Sequence, residues 1–211
     1  MNQSPEPTTI LRFTAAERWT HRTLGILMGV LLITAAVLYL PGASAVIGYR
    51  PVMRNTHIIA GFLLPIPIIV ACFFWAFRQD LRRLNRFSPN DWKWLRTRKR
   101  RNGEIPVGKF NAGQKLNSAF VLGSIIVLLG TGLVMYFNRF FPDDVRTGST
   151  FVHDWLALLV AIATAGHMWM AYGDATARKG MLTGSVPVEW AEKEHGEWAN
   201  EVVGETTQQS R

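Results

Sequence analysis

The stretch Leu116-Asn117-Ser118-Ala119-Phe120-Val121-Leu122-Gly123-Ser124-Ile125-Ile126-Val127-Leu128-Leu129-Gly130-Thr131-Gly132-Leu133-Val134-Met135-Tyr136-Phe137 contains no Lys, Arg, Asp or Glu. A helix needs about 20 mostly apolar residues to cross a bilayer, and this stretch supplies them. Three further windows are equally free of these charges: Leu24–Leu40, Ile58–Phe77 and Trp155–Gly173. The chain has 211 residues, with 23 Lys+Arg, 15 Asp+Glu and a net charge of +8. All of that charge lies outside the four windows. A soluble globule has no reason to segregate charge in this way, so the composition excludes that class. Cys72 is the single cysteine. It excludes an internal disulfide, a cluster ligated within the chain and covalent c-type haem, which needs C-x-x-C-H. The pattern predicts an all-α integral membrane protein, a bundle of four transmembrane helices at about 23–40, 57–78, 114–138 and 151–174.

The basic residues orient the bundle. Between the second and third windows, Arg78–Lys115 holds twelve Lys/Arg against three acids. The other two connections carry only Arg50, Arg54, Arg139 and Arg146. With four spans, the central connection and both termini share one side, which holds the remaining nineteen basic residues. That side is expected to be cytoplasmic. The chain then divides into a cytoplasmic segment 1–22, a membrane domain 23–175 and a cytoplasmic tail 176–211. The N-terminal segment lacks the apolar core and small-residue cleavage site of a secretory signal, so the first span is expected to be retained. The run Arg96-Thr97-Arg98-Lys99-Arg100-Arg101 reads as a topology anchor at anionic headgroups rather than a nucleic-acid patch. Trp19, Trp75, Tyr136, Trp155, Trp169 and Tyr172 fall near the membrane interfaces, as anchoring aromatics do. Pro65 and Pro67 are expected to bend or open the second helix. The acidic tail Val186–Glu205, with Trp190 and Trp198, reads as a cytoplasmic surface helix docked on either the membrane face or a partner, with His195 solvated.

The other four histidines carry the chemistry. His21, His57, His153 and His167 lie at the start of, or within, the spans, where ionisable groups are costly and usually functional. His153 and His167 are fourteen residues apart on one helix, which puts them within about 40° in azimuth and about 21 Å apart along the axis. By depth, His57 pairs with His153 near the outer face and His21 with His167 nearer the cytoplasm. Zinc normally wants three or four protein ligands, and the nearest carboxylates, Asp154 and Asp174, read as interfacial. Haem iron is satisfied by two axial imidazoles, because the porphyrin supplies four nitrogens. Small residues stand about one turn from each histidine, at Gly25, Gly61, Ala157, Ala163 and Ala171, where a macrocycle edge needs room. Gly and Ala are also common at membrane helix contacts, but their place beside all four histidines favours two b-type haems. Such irons carry electrons and have no open position for oxygen chemistry.

The entry to the third window reads Lys109-Phe110-Asn111-Ala112-Gly113-Gln114-Lys115. Asn111 and Gln114 amides at the boundary can hydrogen-bond a quinone carbonyl, with Gly113 letting a ring approach. The same residues equally form a helix start, with Asn111 as N-cap and Lys115 at the headgroups. Spacing alone leaves both open.

The segments Glu17-Arg18-Trp19-Thr20-His21, Asn55-Thr56-His57-Ile58-Ile59-Ala60-Gly61 and Phe110-Asn111-Ala112-Gly113-Gln114-Lys115 resemble the gamma subunits of membrane-bound respiratory formate dehydrogenases. So do Val152-His153-Asp154, Gly166-His167-Met168-Trp169-Met170-Ala171 and Trp190-Ala191-Glu192-Lys193-Glu194-His195. The likeness runs from about Arg12 to Val203. Its histidine pattern is shared with di-haem cytochromes b generally, including the membrane subunit of nickel-iron hydrogenases. The resemblance implies two haem b groups, with His57 and His153 on the outer iron and His21 and His167 on the inner one. It implies a quinone site at Asn111, Gly113, Gln114 and His167, taking menaquinone or ubiquinone. The implied partners are an iron–sulfur (beta) subunit and a molybdenum- or tungsten-containing catalytic (alpha) subunit, with a higher oligomer of that heterotrimer left open. The implied location is the bacterial cytoplasmic membrane. Lys109-Phe110-Asn111-Ala112 stands where those subunits carry Arg-Tyr-Asn-Phe, which leaves the quinone type open. Two alternatives remain at this point: a hydrogenase-type donor, and a haem-free membrane anchor or transporter.

Overall fold

The computed structural model describes residues 8–97 and 104–209. Arg98–Arg101 of the basic run therefore lie outside the described residues, as do residues 1–7 of the N-terminal segment. A short strand, β1 (Thr9–Leu11), leads into α1 (Ala15–Tyr39). After α2 (Pro41–Ile47), the second crossing runs through α3 (Arg50–Leu63) and α4 (Ile66–Ala71), separated at Leu64–Pro65. The cause is Pro65 and Pro67, which cannot donate into the helical ladder. Two amphipathic helices follow, α5 (Trp75–Leu84) and α6 (Pro89–Arg96). The third crossing is α7 (Ala112–Tyr136) and the fourth α8 (Asp143–Tyr172), with a 3-10 turn at Asn138–Phe140 between them. The chain closes with α9 (Ala175–Thr183), β2 (Ser185–Pro187), α10 (Val188–Glu194) and α11 (Gly196–Gln209).

Four helical stretches are long and apolar enough to cross a membrane: Ala15–Tyr39, Arg50–Ala71, Ala112–Tyr136 and Asp143–Tyr172. The number of spans agrees with the charge-free windows, but the first, second and fourth helices begin about a turn or two earlier. Asp143 and Asp144 occupy the first turn of α8, where carboxylates complement the positive end of the helix dipole. The histidines consequently sit inside the helices rather than at their starts. Trp19, Trp75, Tyr136, Trp155, Trp169 and Tyr172 are all exposed, as residues facing lipid headgroups should be.

The chain forms two compact units. One comprises Trp19–Trp75 and Phe120–His167 and holds most of the four spans; the other comprises Met1–Arg18, Ala76–Ala119 and Met168–Arg211. In the latter, β1 and β2 pair antiparallel, with Ile10 opposite Val186. Ile10, Val186, Ala191, Trp198 and Ala199 make one small core, and Trp94, Val107 and Ala112 another. Gly184 ends α9 at φ +103°, a backbone conformation that strains any residue with a Cβ. Its carbonyl accepts from the Arg12 and Phe13 amides at 2.8 and 2.9 Å, tying the N-terminal segment to the tail.

His195 is not solvated. His195 is 3% exposed, held between the Trp190 and Trp198 rings. Its Nδ1–H donates to the Gly108 carbonyl at 2.7 Å, and its Nε2 accepts from Arg12 Nη2 at 2.9 Å. A carbonyl can only accept, so the imidazole is the neutral tautomer with the proton on Nδ1. Burial pushes the Arg12 guanidinium down to about 10 against the pull of Asp174 and Asp80. The expectation of a solvated His195 failed because the indole rings bury the imidazole, and their partners lie 87 to 183 residues away.

Candidate functional site

The His57–His153 pair assembles from four helices. His57 projects from α3 and His153 from α8, with ring centroids 6.2 Å apart. Two imidazoles bonded to opposite sides of one metal ion at about 2.0–2.1 Å place their centroids about 6 Å apart. The second pair, His21 from α1 and His167 from α8, has centroids 6.1 Å apart. Both separations match. All four residues belong to the same compact unit, and the fourteen-residue offset on α8 stacks the pairs about 21 Å apart along that helix.

Each imidazole of the His57–His153 pair has a hydroxyl behind it. Thr34 on α1 donates its single proton to the Val30 carbonyl at 2.7 Å. That leaves Oγ1 as acceptor for His57 Nδ1 at 2.9 Å. Thr131 on α7 repeats the device. It donates to the Val127 carbonyl at 2.8 Å and faces His153 Nδ1 at 3.0 Å. Both rings are thereby the Nδ1–H tautomer, with the Nε2 lone pair free for a metal. A Cβ at Gly132 would stand 3.5 Å from His153 Cε1, ordinary van der Waals contact, so α7 packs directly against that ring. Sequence reasoning passed over Thr34 and Thr131. The signal was present, since each is the single threonine of its charge-free window.

Among the described residues no three His, Cys, Asp or Glu side chains converge on one point. A group held by these pairs must therefore bring its own remaining ligands, as a haem does. A Cβ built at Gly25 would meet nothing within 4 Å, and one at Gly61 only Leu31 Cδ2 at 3.9 Å. Open space thus borders His21 and His57, where a macrocycle edge would run. The ring separations, the tautomers and this space all fit haem.

Residues 12–184 match the family of prokaryotic cytochrome b561. The chain belongs to that family. It is a multi-pass protein of the bacterial inner membrane, and the family binds haem b. Curated relatives include the nitrate-inducible formate dehydrogenase cytochrome b556 subunit of Escherichia coli, 37% identical over 99 residues. That match covers 46% of this chain and 46% of the relative. The formate dehydrogenase cytochrome b556 subunit of Haemophilus influenzae is 25% identical over 208 residues, covering 93% of this chain and 84% of the relative. The matched stretch thus spans about half the length of the Escherichia coli relative and most of the Haemophilus one.

The Asn111–Lys115 element lies in the other unit. The Gln114 amide N–H donates to Asn111 Oδ1 at 3.0 Å, and the Asn111 N–H donates to Gln114 Oε1 at 2.9 Å. This reciprocal box caps α7. It uses both side-chain oxygens and leaves both NH2 groups, which are donors, for a carbonyl ligand. Capping and quinone binding are therefore compatible readings. A Cβ at Gly113 would meet the Trp94 ring at 3.3 Å, so the ring packed on this glycine is an indole of the protein. Lys115 is not at the headgroups. It is buried, with Nζ 2.7 Å from Asp91 Oδ2 and donating at 2.9 Å to the Arg86 carbonyl. Close by in sequence, half-buried Lys109 pairs with Asp80 and reaches Glu17 Oε1 at 3.8 Å. Burial first, and then the neighbouring Glu17 carboxyl, push the Asp80 carboxyl up to about 7 against the opposing pull of Lys109.

Proposed function

We propose that this chain is the cytochrome b subunit of a formate dehydrogenase and holds two b haems that pass electrons to membrane quinone. The observation carrying the reading is the two imidazole pairs at metal-bridging separation, each with one partner on α8. The names of the relatives favour formate as the electron source. His57 and His153 would hold the outer haem, and His21 and His167 the inner one. Bis-imidazole haem iron supplies a one-electron couple with no open coordination position. Asn111 and Gln114 would donate their NH2 groups to a quinone carbonyl, with Gly113 between them and His167 added by the family resemblance. The basic connection 78–115 and both termini would face the cytoplasm, where water supplies the protons of quinone reduction. An iron–sulfur subunit and a molybdenum- or tungsten-containing catalytic subunit would complete the assembly.

The test is the purified chain and its complex. A redox difference spectrum should show b-type bands with two haems per polypeptide, and formate should reduce quinone through the complex. A colourless chain rejects the haem reading. Quinone reduction driven by hydrogen and never by formate reassigns the donor.

A further inference from the structure

The two histidine pairs are not equivalent. Both outer imidazoles donate Nδ1–H to a threonine oxygen that is already committed as donor to its own helix. Among the described residues, His21 and His167 have no hydrogen-bonding side chain behind either ring. We propose that Thr34 and Thr131 are positioning residues that lower the reduction potential of the outer haem relative to the inner one. They would thereby set the inward direction of electron transfer. The inference rests on the di-haem reading above.

The physical basis is the basicity of the ligand. An acceptor on Nδ1–H draws the proton away, which raises electron density on Nε2 and makes the imidazole a better donor. The stronger donor favours Fe(III) over Fe(II). Two such bonds would act on one iron, because Thr34 and Thr131 back the two imidazoles that would hold it. The threonine protons cannot rotate to reverse the polarity without losing the bonds to Val30 and Val127. A threonine in the middle of a membrane helix that bonds its own i−4 carbonyl is usually spent on that bond. Here the second lone pair of the same oxygen is put to use. Mutating an outer-shell partner of metal-bound histidine typically costs about 10- to 100-fold in metal affinity or activity, and only the difference between the two oxidation states appears in the potential. Removing one acceptor should therefore shift the Fe(III)/Fe(II) balance by up to about tenfold, about 59 mV for a one-electron couple.

The experiment is a potentiometric titration of the intact complex, wild type against Thr34→Val and Thr131→Val, with Thr→Ser at each position as the conservative control. Valine keeps the shape and removes the acceptor. The outer haem is identified as the one lost in His153→Ala. Expected is an upward shift of the outer haem in either valine variant, no change in the inner haem, and wild-type values in the serine variants. Unchanged potentials with both haems retained overturn the proposal, as does a shift confined to the inner haem. Should a valine variant lose the outer haem, the serine variant decides: retention at the wild-type potential supports the hydroxyl, and loss assigns the position to packing and overturns the proposal. A wild-type complex without two haems would instead remove the functional reading, a result seen before any variant is made.

Discussion

Replacing Lys115 with methionine should loosen the second compact unit by about 3 kcal/mol. The lysine is buried on the first turn of α7, and its ammonium contacts Asp91 at 2.7 Å, whose side chain is 7% exposed. Breaking a buried ion pair by removing one partner costs about 3–5 kcal/mol, because the other charge stays behind without compensation. Asp91 is only partly abandoned. Its Oδ2 still accepts from the Ser88 amide at 2.7 Å and from the Ser88 hydroxyl at 3.0 Å, which argues for the lower end of that range. The lost bond to the Arg86 carbonyl adds a smaller penalty of about 1 kcal/mol, offset by the apolar methionine. A change of about 3 kcal/mol is about a hundredfold in an opening equilibrium. Hydrogen–deuterium exchange followed by mass spectrometry on peptides covering 88–97 and 109–117 reads that number directly. The double variant Lys115→Met/Asp91→Asn should recover part of the protection, since asparagine keeps an oxygen for Ser88 and carries no charge. Exchange within about threefold of wild type in Lys115→Met would refute the reasoning and return Lys115 to a headgroup role.

Other outcomes follow from the same geometry. His153→Ala or His57→Ala should remove one haem and leave the other, so that the haem-to-protein ratio halves; loss of both, or of the inner signal alone, contradicts the pairing. Asn111→Asp should keep the cap, because a carboxylate accepts from the Gln114 amide, yet slow quinone reduction by removing the NH2 donor. Asn111→Ala should lose about 1 kcal/mol of stability besides, and quinone kinetics unaltered in both variants would leave Asn111 as a cap alone. The folded unit holds the Asp80 proton more tightly than the unfolded chain does. That contribution is complete below the ordinary carboxylate range and is lost as pH rises to about 7. Thermal stability of the unit should therefore decline between about pH 4 and 7 and flatten in Asp80→Asn; parallel profiles for the two proteins would count against a raised Asp80.

The sequence alone determined the number of spans and the four histidines that fall within them. Charge exclusion over some twenty residues has one physical cause, the cost of placing ions in hydrocarbon, and it needs no partner from elsewhere in the chain. The histidines were legible for the same reason, and helix periodicity was enough to stack two of them on α8. The helix starts were not legible, because polar turns such as Asp143–Thr150 extend a membrane helix without adding to its apolar signal. Tertiary structure alone decided what stands behind each ring. Thr34 and Thr131 lie 23 and 22 residues from the histidines they orient, and His195 lies 183 from Arg12. Such contacts depend on which helix faces pack together. A single sequence states which side chains can bond, and only the packed chain brings donor and acceptor within 3 Å.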